Sequence, residues 1–86
     1  MLCFFNLAGA VHDPDEVGLE VASMDEARKV AAVHVGELIR DDPSLIWKGE
    51  EVRLEVADQQ GIILFTVILL GVDAPSNPAL TGKQSW

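Results

Sequence analysis

The sequence has no tyrosine, a single cysteine and only six lysines and arginines among 86 residues. Each shortage excludes something. With Cys3 alone, no intrachain disulfide can form, and no Cys/His spacing suits a structural zinc site. Six basic against fourteen acidic residues leave a formal charge of −8, the wrong sign for a nucleic-acid binder, whose affinity rests largely on phosphate contacts. The apolar stretch Ile62–Leu70 is nine residues long and contains Thr66, whereas a bilayer span needs about 20. The first eight residues lack a basic region, are interrupted by Asn6 and run into His12-Asp13, so they do not read as a signal peptide. There is no G-x-G-x-x-G, P-loop, H-E-x-x-H or G-x-S-x-G motif. Neither nucleic acid nor membrane is expected as a partner, and a cytoplasmic location is.

What is present is apolar: 49% of residues are hydrophobic and the mean hydropathy is +0.23. A disordered acidic chain would be poor in Val, Ile and Leu. The length suits one domain, expected over residues 1–71. A mobile tail is expected over 72–86, where Pro75 and Pro78 fall in a stretch with no periodicity. A domain this small buries a limited share of its surface. Without disulfide or metal, oligomerisation is the expected extra source of stability.

Residues Leu2 to Ala8 read as a strand stopped at Gly9. Asp13-Pro14-Asp15 and Gly18 mark turns, and Leu19 to Val21 suits a short edge strand. Ser23-Met24-Asp25-Glu26 is a capping box: the Ser23 hydroxyl accepts from the Glu26 N–H, and the Glu26 side chain returns to Ser23. The helix it opens runs to about Arg40, with Ala27, Ala31, His34 and Leu38 in one stripe, and Asp41-Asp42-Pro43 ends it. Leu45, Ile46 and Trp47 are expected to cover an edge of the core, with a docking role for Trp47 the lesser reading. Val52, Leu54 and Val56 alternate with Arg53 and Glu55, the pattern of a half-buried strand. Asp58-Gln59-Gln60-Gly61 suits a type I turn closed by a left-handed glycine, a three-residue hairpin loop. The fold class is therefore α+β: an antiparallel sheet of three or four strands in the order β-(β)-α-β-β, with one amphipathic helix on one face.

That hairpin loop pairs Val56 with Leu64, Leu54 with Thr66 and Val52 with Ile68. Ile63, Phe65, Val67 and Leu69 then share the opposite face with Arg53 and Glu55. One helix covers one face of a small sheet, so this second apolar stripe calls for a second subunit. Ile63, Phe65, Val67 and Leu69 are the expected interface of a homodimer.

Among polar candidates, residues 1–26 hold six acids and no base. Asp13-Pro14-Asp15 with Gly18 partly matches a calcium loop, with Asp at positions 1 and 3 and Gly at 6, but position 5 is Val17 and position 12 is Met24; Glu16 is a further acidic candidate in the same segment. A solvated acidic loop with turn-forming Asp is the simpler reading, and no metal or cofactor is expected. His34 could act as an acid–base group, but it lacks an evident orienting partner and nucleophile. Packing of strand on helix would allow a Cys3–His34 pair, yet apolar surroundings raise a thiol's pKa and suppress its reactivity. Ser23 is a helix cap rather than a nucleophile. No catalytic activity is expected.

The chain resembles a family of short bacterial proteins classed as a domain of unknown function. The resemblance rests on Cys3-Phe4-Phe5-Asn6-Leu7, on the acidic segment Asp13 to Glu20, on the helix opening Met24-Asp25-Glu26-Ala27-Arg28, and on the hairpin Val52 to Gly61 leading into Leu64-Phe65-Thr66-Val67. It covers about residues 3–70 and implies a fold without an activity. Where the family carries polar residues after the first strand, this chain has Ala8-Gly9-Ala10. Leu19 to Ala32 is also similar to the antitoxin half of some toxin–antitoxin pairs. Two functions follow as expectations: a homodimeric interaction or accessory module, or an antitoxin-like binder that neutralises a small basic protein. The charge of −8 favours cationic partners in either case.

Overall fold

A computed structural model describes residues 1–75. Strand β1 (Leu2–Gly9) is followed by β2 (Leu19–Glu20), helix α1 (Met24–Asp41), a 3-10 turn (Leu45–Trp47), β3 (Val52–Ala57) and β4 (Ile63–Leu69). The strands form one antiparallel four-stranded sheet in the order β2-β1-β3-β4, and α1 packs on the face built by β1 and β3. This is the expected α+β architecture, with the short edge strand present. Val72 to Pro75 carry no helix or strand. The remainder of the expected tail, Trp86 included, lies outside the described residues.

The core follows from alternation. Cys3, Phe5 and Leu7 of β1 and Val52, Leu54 and Val56 of β3 point to the helix side and are buried. Leu2, Phe4, Asn6, Arg53 and Glu55 point the other way and are half-buried. Gly9 ends β1 at φ +84, and a Cβ there would collide with the Glu51 carbonyl oxygen. Only glycine tolerates both the positive φ and the close approach. Ala10 N–H then donates to that same carbonyl at 2.9 Å.

Ser23 caps α1, its hydroxyl accepting from Glu26 N–H at 3.1 Å. The Glu26 carboxylate reaches back to Ala22 N–H at 2.7 Å, one residue earlier than the expected return to Ser23. Asp25 and Glu26 also favour the positive end of the helix dipole. The buried stripe is Ala27, Ala31 and Val35, with Val30 and Leu38 packed beside it. His34, expected near the centre of the stripe, lies half-buried at its rim. The i, i+4, i+8 line of two alanines and a valine puts the apolar Val35 inside, and leaves the imidazole where water reaches it. Burying an imidazole without a partner costs free energy that burying a valine does not.

The hairpin contains the main correction. At the turn it is as expected. Asp58 N–H donates to the Ile62 carbonyl at 2.9 Å, Gly61 N–H donates to the Asp58 carbonyl at 3.0 Å, and Gly61 has φ +83. Ala57 then faces Ile63. Beyond that point Leu64 is an extra residue, a bulge, and Val56 pairs with Phe65, Leu54 with Val67 and Val52 with Leu69. The expected pairs Val56–Leu64, Leu54–Thr66 and Val52–Ile68 are shifted by one. Because side chains alternate with period two, the shift exchanges the faces of β4. Phe65, Val67 and Leu69 join the core side, and Thr66 and Ile68 move beside Glu55 and Arg53. The driving force is the burial gained by turning Phe65, Val67 and Leu69, rather than Thr66 and Ile68, toward the helix side.

Candidate interaction surface

Of the four expected interface residues, Phe65, Val67 and Leu69 therefore stand on the core face, half-buried at the margin of the core. Ile63 is 52% exposed. Also largely exposed on β4 and just after it are Ile68, at 63%, Leu70, at 50%, and Val72, at 72%. The sequence pairing of Val52 with Ile68 places Ile68 on the core face, and the observed register turns it outward. The signal for it was present: from Gln59 to Val72 there is no charged residue, so β4 is apolar on both faces whichever register it takes.

β4 is the last strand of the sheet, so among the described residues its outer edge has no strand partner. Three charges on and beside β3 are gathered into one set. Arg53 Nη1 donates to Glu51 Oε1 at 3.0 Å, and Arg53 Nε donates to Glu55 Oε2 at 3.2 Å. The bonds to Glu55 and then Glu51 push the guanidinium further up. Glu51 is held below its ordinary value, first by its own backbone N–H and then by Arg53. The far end of β4 is fastened by Gly71 N–H donating to the Ile46 carbonyl at 2.8 Å. A Cβ on Gly71 would come within 2.5 Å of Trp47 Cε3. In the 3-10 turn, Leu45 enters the core, while the Trp47 ring lies against Gly71 and stays largely exposed.

The opposite edge of the sheet is closed. β2 pairs with β1 only at Leu2–Glu20 and Cys3–Leu19. Further along, Asp13 exchanges two backbone bonds with Leu7, each 3.0 Å. Between these points the Asp15 carboxylate fills the gap. Its Oδ2 accepts from Phe5 N–H at 3.1 Å, and its Oδ1 accepts from Val17 and Gly18 N–H, both at 3.0 Å. Asn6 Oδ1 accepts from Asp15 N–H at 2.8 Å. Burial raises the Asp15 pKa. The bonds from Gly18, Phe5 and Val17, with the charge of His34, outweigh it and hold the carboxyl below its ordinary 3.8.

The other polar candidates are dispersed. Asp13 and Glu16 are exposed on the loop. His34 lies on α1 beside a shallow hollow lined by Lys29, Val30, Val33 and Glu37. Cys3 is fully buried. Among the described residues, no three His, Cys, Asp or Glu side chains are gathered so as to hold a metal ion. No helix of the described residues is long and apolar enough to cross a membrane.

Among the described residues, the fold and its edges define a small α+β domain, one sheet with a single α-helix on it, whose two sheet edges differ in kind: one closed by an acidic loop, the other apolar and without a strand partner. The chain belongs to the family described as Domain of unknown function (DUF6894), whose model matches residues 2–71. No curated protein and no solved structure matches the chain significantly.

Proposed function

We propose that this protein is an interaction module that self-associates through β4 and acts by binding rather than by catalysis. One observation carries the reading: a seven-residue edge strand, Ile63–Leu69, with no charge or proline and, among the described residues, no strand on its outer edge. Such an edge is a template for pairing, and proteins that must stay monomeric blunt it with Lys, Pro, a short strand or a bulge; the Leu64 bulge lies near one end of β4 and leaves Phe65–Leu69 in regular pairing. The polar groups that invite a catalytic reading support the same view. The Asp15 carboxylate holds three backbone N–H groups, and the Ser23 hydroxyl caps α1.

Light scattering across micromolar to millimolar protein tests this. The wild type is expected to rise from monomer to dimer mass. Ile68→Lys, which places a charge on an already exposed position, is expected to remain monomeric with an unchanged circular dichroism spectrum. A wild type that stays monomeric throughout refutes the proposal.

A second reading is supported by the exposure of Asp13 and Glu16 on the loop side of the sheet. That edge suits a basic protein, as an antitoxin-like binder would require. Salt-sensitive co-purification with a small basic protein encoded by a neighbouring gene is its test, and binding that ignores ionic strength counts against it.

A further inference from the structure

We infer that two copies pair their β4 edges antiparallel about a two-fold axis at Val67, giving one continuous eight-stranded sheet. The inference rests on the self-association proposed above and specifies its geometry.

The register comes from the bulge. Phe65 to Leu69 is the part of β4 in unbroken pairing with β3, from Val56↔Phe65 to Val52↔Leu69, and its middle residue is Val67. A closed two-fold contact must be self-complementary. Centred at Val67, it sets Phe65 opposite the partner's Leu69 and Val67 opposite the partner's Val67 on the helix side. Thr66 stands opposite the partner's Ile68 on the other side. Every cross-strand pair is apolar or Thr–Ile, and none sets like charges together. The half-burial of Phe65, Val67 and Leu69 at the margin of the core is what a continuing sheet would complete.

Electrostatics selects the occupant. Two chains each carrying −8 repel unless they meet at a neutral surface, and Gln59 to Val72 is that surface. Joined there, the two acidic loop edges stand seven strand spacings apart, about 34 Å at about 4.8 Å each. That is several Debye lengths at physiological salt, where the length is about 8 Å. A basic partner would instead be drawn to the acidic loop. Stacking the outer sheet faces, the arrangement suggested by the sequence, would press the Glu51–Arg53–Glu55 set of each copy into the contact, and desolvating charges is costly.

The test uses Thr66→Cys and Ile68→Cys, both at exposed positions, in chains that keep the buried Cys3. Under mild oxidation, a mixture of the two variants is expected to form a disulfide between them at least ten-fold faster than either variant links to itself. Like positions stand two residues, about 7 Å along the strand, out of register, beyond easy disulfide reach. Comparable self-linking overturns the Val67 axis. In the wild type, the amides of residues 65–69 that point away from β3, every second one along the strand, are expected to gain hydrogen-exchange protection as the dimer forms. Dimer mass without that protection overturns edge pairing while self-association stands, and a strict monomer overturns both.

Discussion

The Asp15 carboxylate takes the place of a strand residue along β1, and its removal has a calculable cost. Asp15→Ala deletes three hydrogen bonds, from Phe5, Val17 and Gly18 N–H at 3.0–3.1 Å. Bonds to a charged acceptor contribute about 1.5–3 kcal/mol each when well buried. At this half-exposed site water replaces part of that, and we expect a total loss of about 2–3 kcal/mol. For a domain of this size, 1 kcal/mol shifts Tm by about 4–8 °C, so Asp15→Ala should lower it by roughly 10–20 °C at fixed protein concentration. Asp15→Asn keeps one carbonyl oxygen for the turn bonds but cannot also accept from Phe5, and should lose about half as much.

The same carboxyl makes the loss pH-dependent. Its folded pKa lies below the ordinary 3.8, so its contribution is present above the unfolded value and disappears as pH falls through the folded one. The gap between wild type and Asp15→Asn should be largest near neutrality and shrink in acid, beginning close to the ordinary carboxylate value. Urea melts followed by circular dichroism would measure it. A variant within 0.5 kcal/mol of wild type (about the scatter of surface substitutions), or a gap that widens in acid, refutes the reasoning.

Two further perturbations test the fold. Gly9→Ala meets a positive φ and the Glu51 carbonyl together, and should cost more than the about 1 kcal/mol that a positive φ alone imposes on a non-glycine residue; a thermal melt unchanged from wild type would contradict this. Deleting Leu64 removes the bulge while leaving Phe65, Val67 and Leu69 on the core face. It should fold with loss of no more than about 2 kcal/mol, from Leu64's own partial burial, and an unfolded product would show that the bulge itself holds the register.

Elements with a local chemical signature were legible in the sequence. Ser23 and Pro43 bracket α1 because capping and proline sterics are local. The Asp58–Gly61 turn is legible for the same reason. β3 alternates because one of its faces carries Arg53 and Glu55. The register of β4 differs by one residue from the sequence expectation because Ile, Leu, Phe and Val occupy nearly all its positions, so its period-two signal is flat and packing against the core decides the face. Asp15 was legible as a turn former through its bonds to Val17 and Gly18. Its third bond, to Phe5, depends on where the loop returns in space. The rim position of His34 depends on a small rotation of α1 that a stripe of alanines and valines does not specify.

The closed edge beside β1 has a consequence for stoichiometry. A sheet with two open edges has no natural last copy, and head-to-tail addition could continue into a filament. Here Asp13, Asp15 and the two-residue β2 occupy one side of every molecule. If copies add through β4, growth would run in one direction only, and the proposed two-fold contact would use up that direction for both participants at once. Under the edge pairing proposed above, the acidic loop would act as a chain terminator, holding the assembly at two without making any contact across the interface.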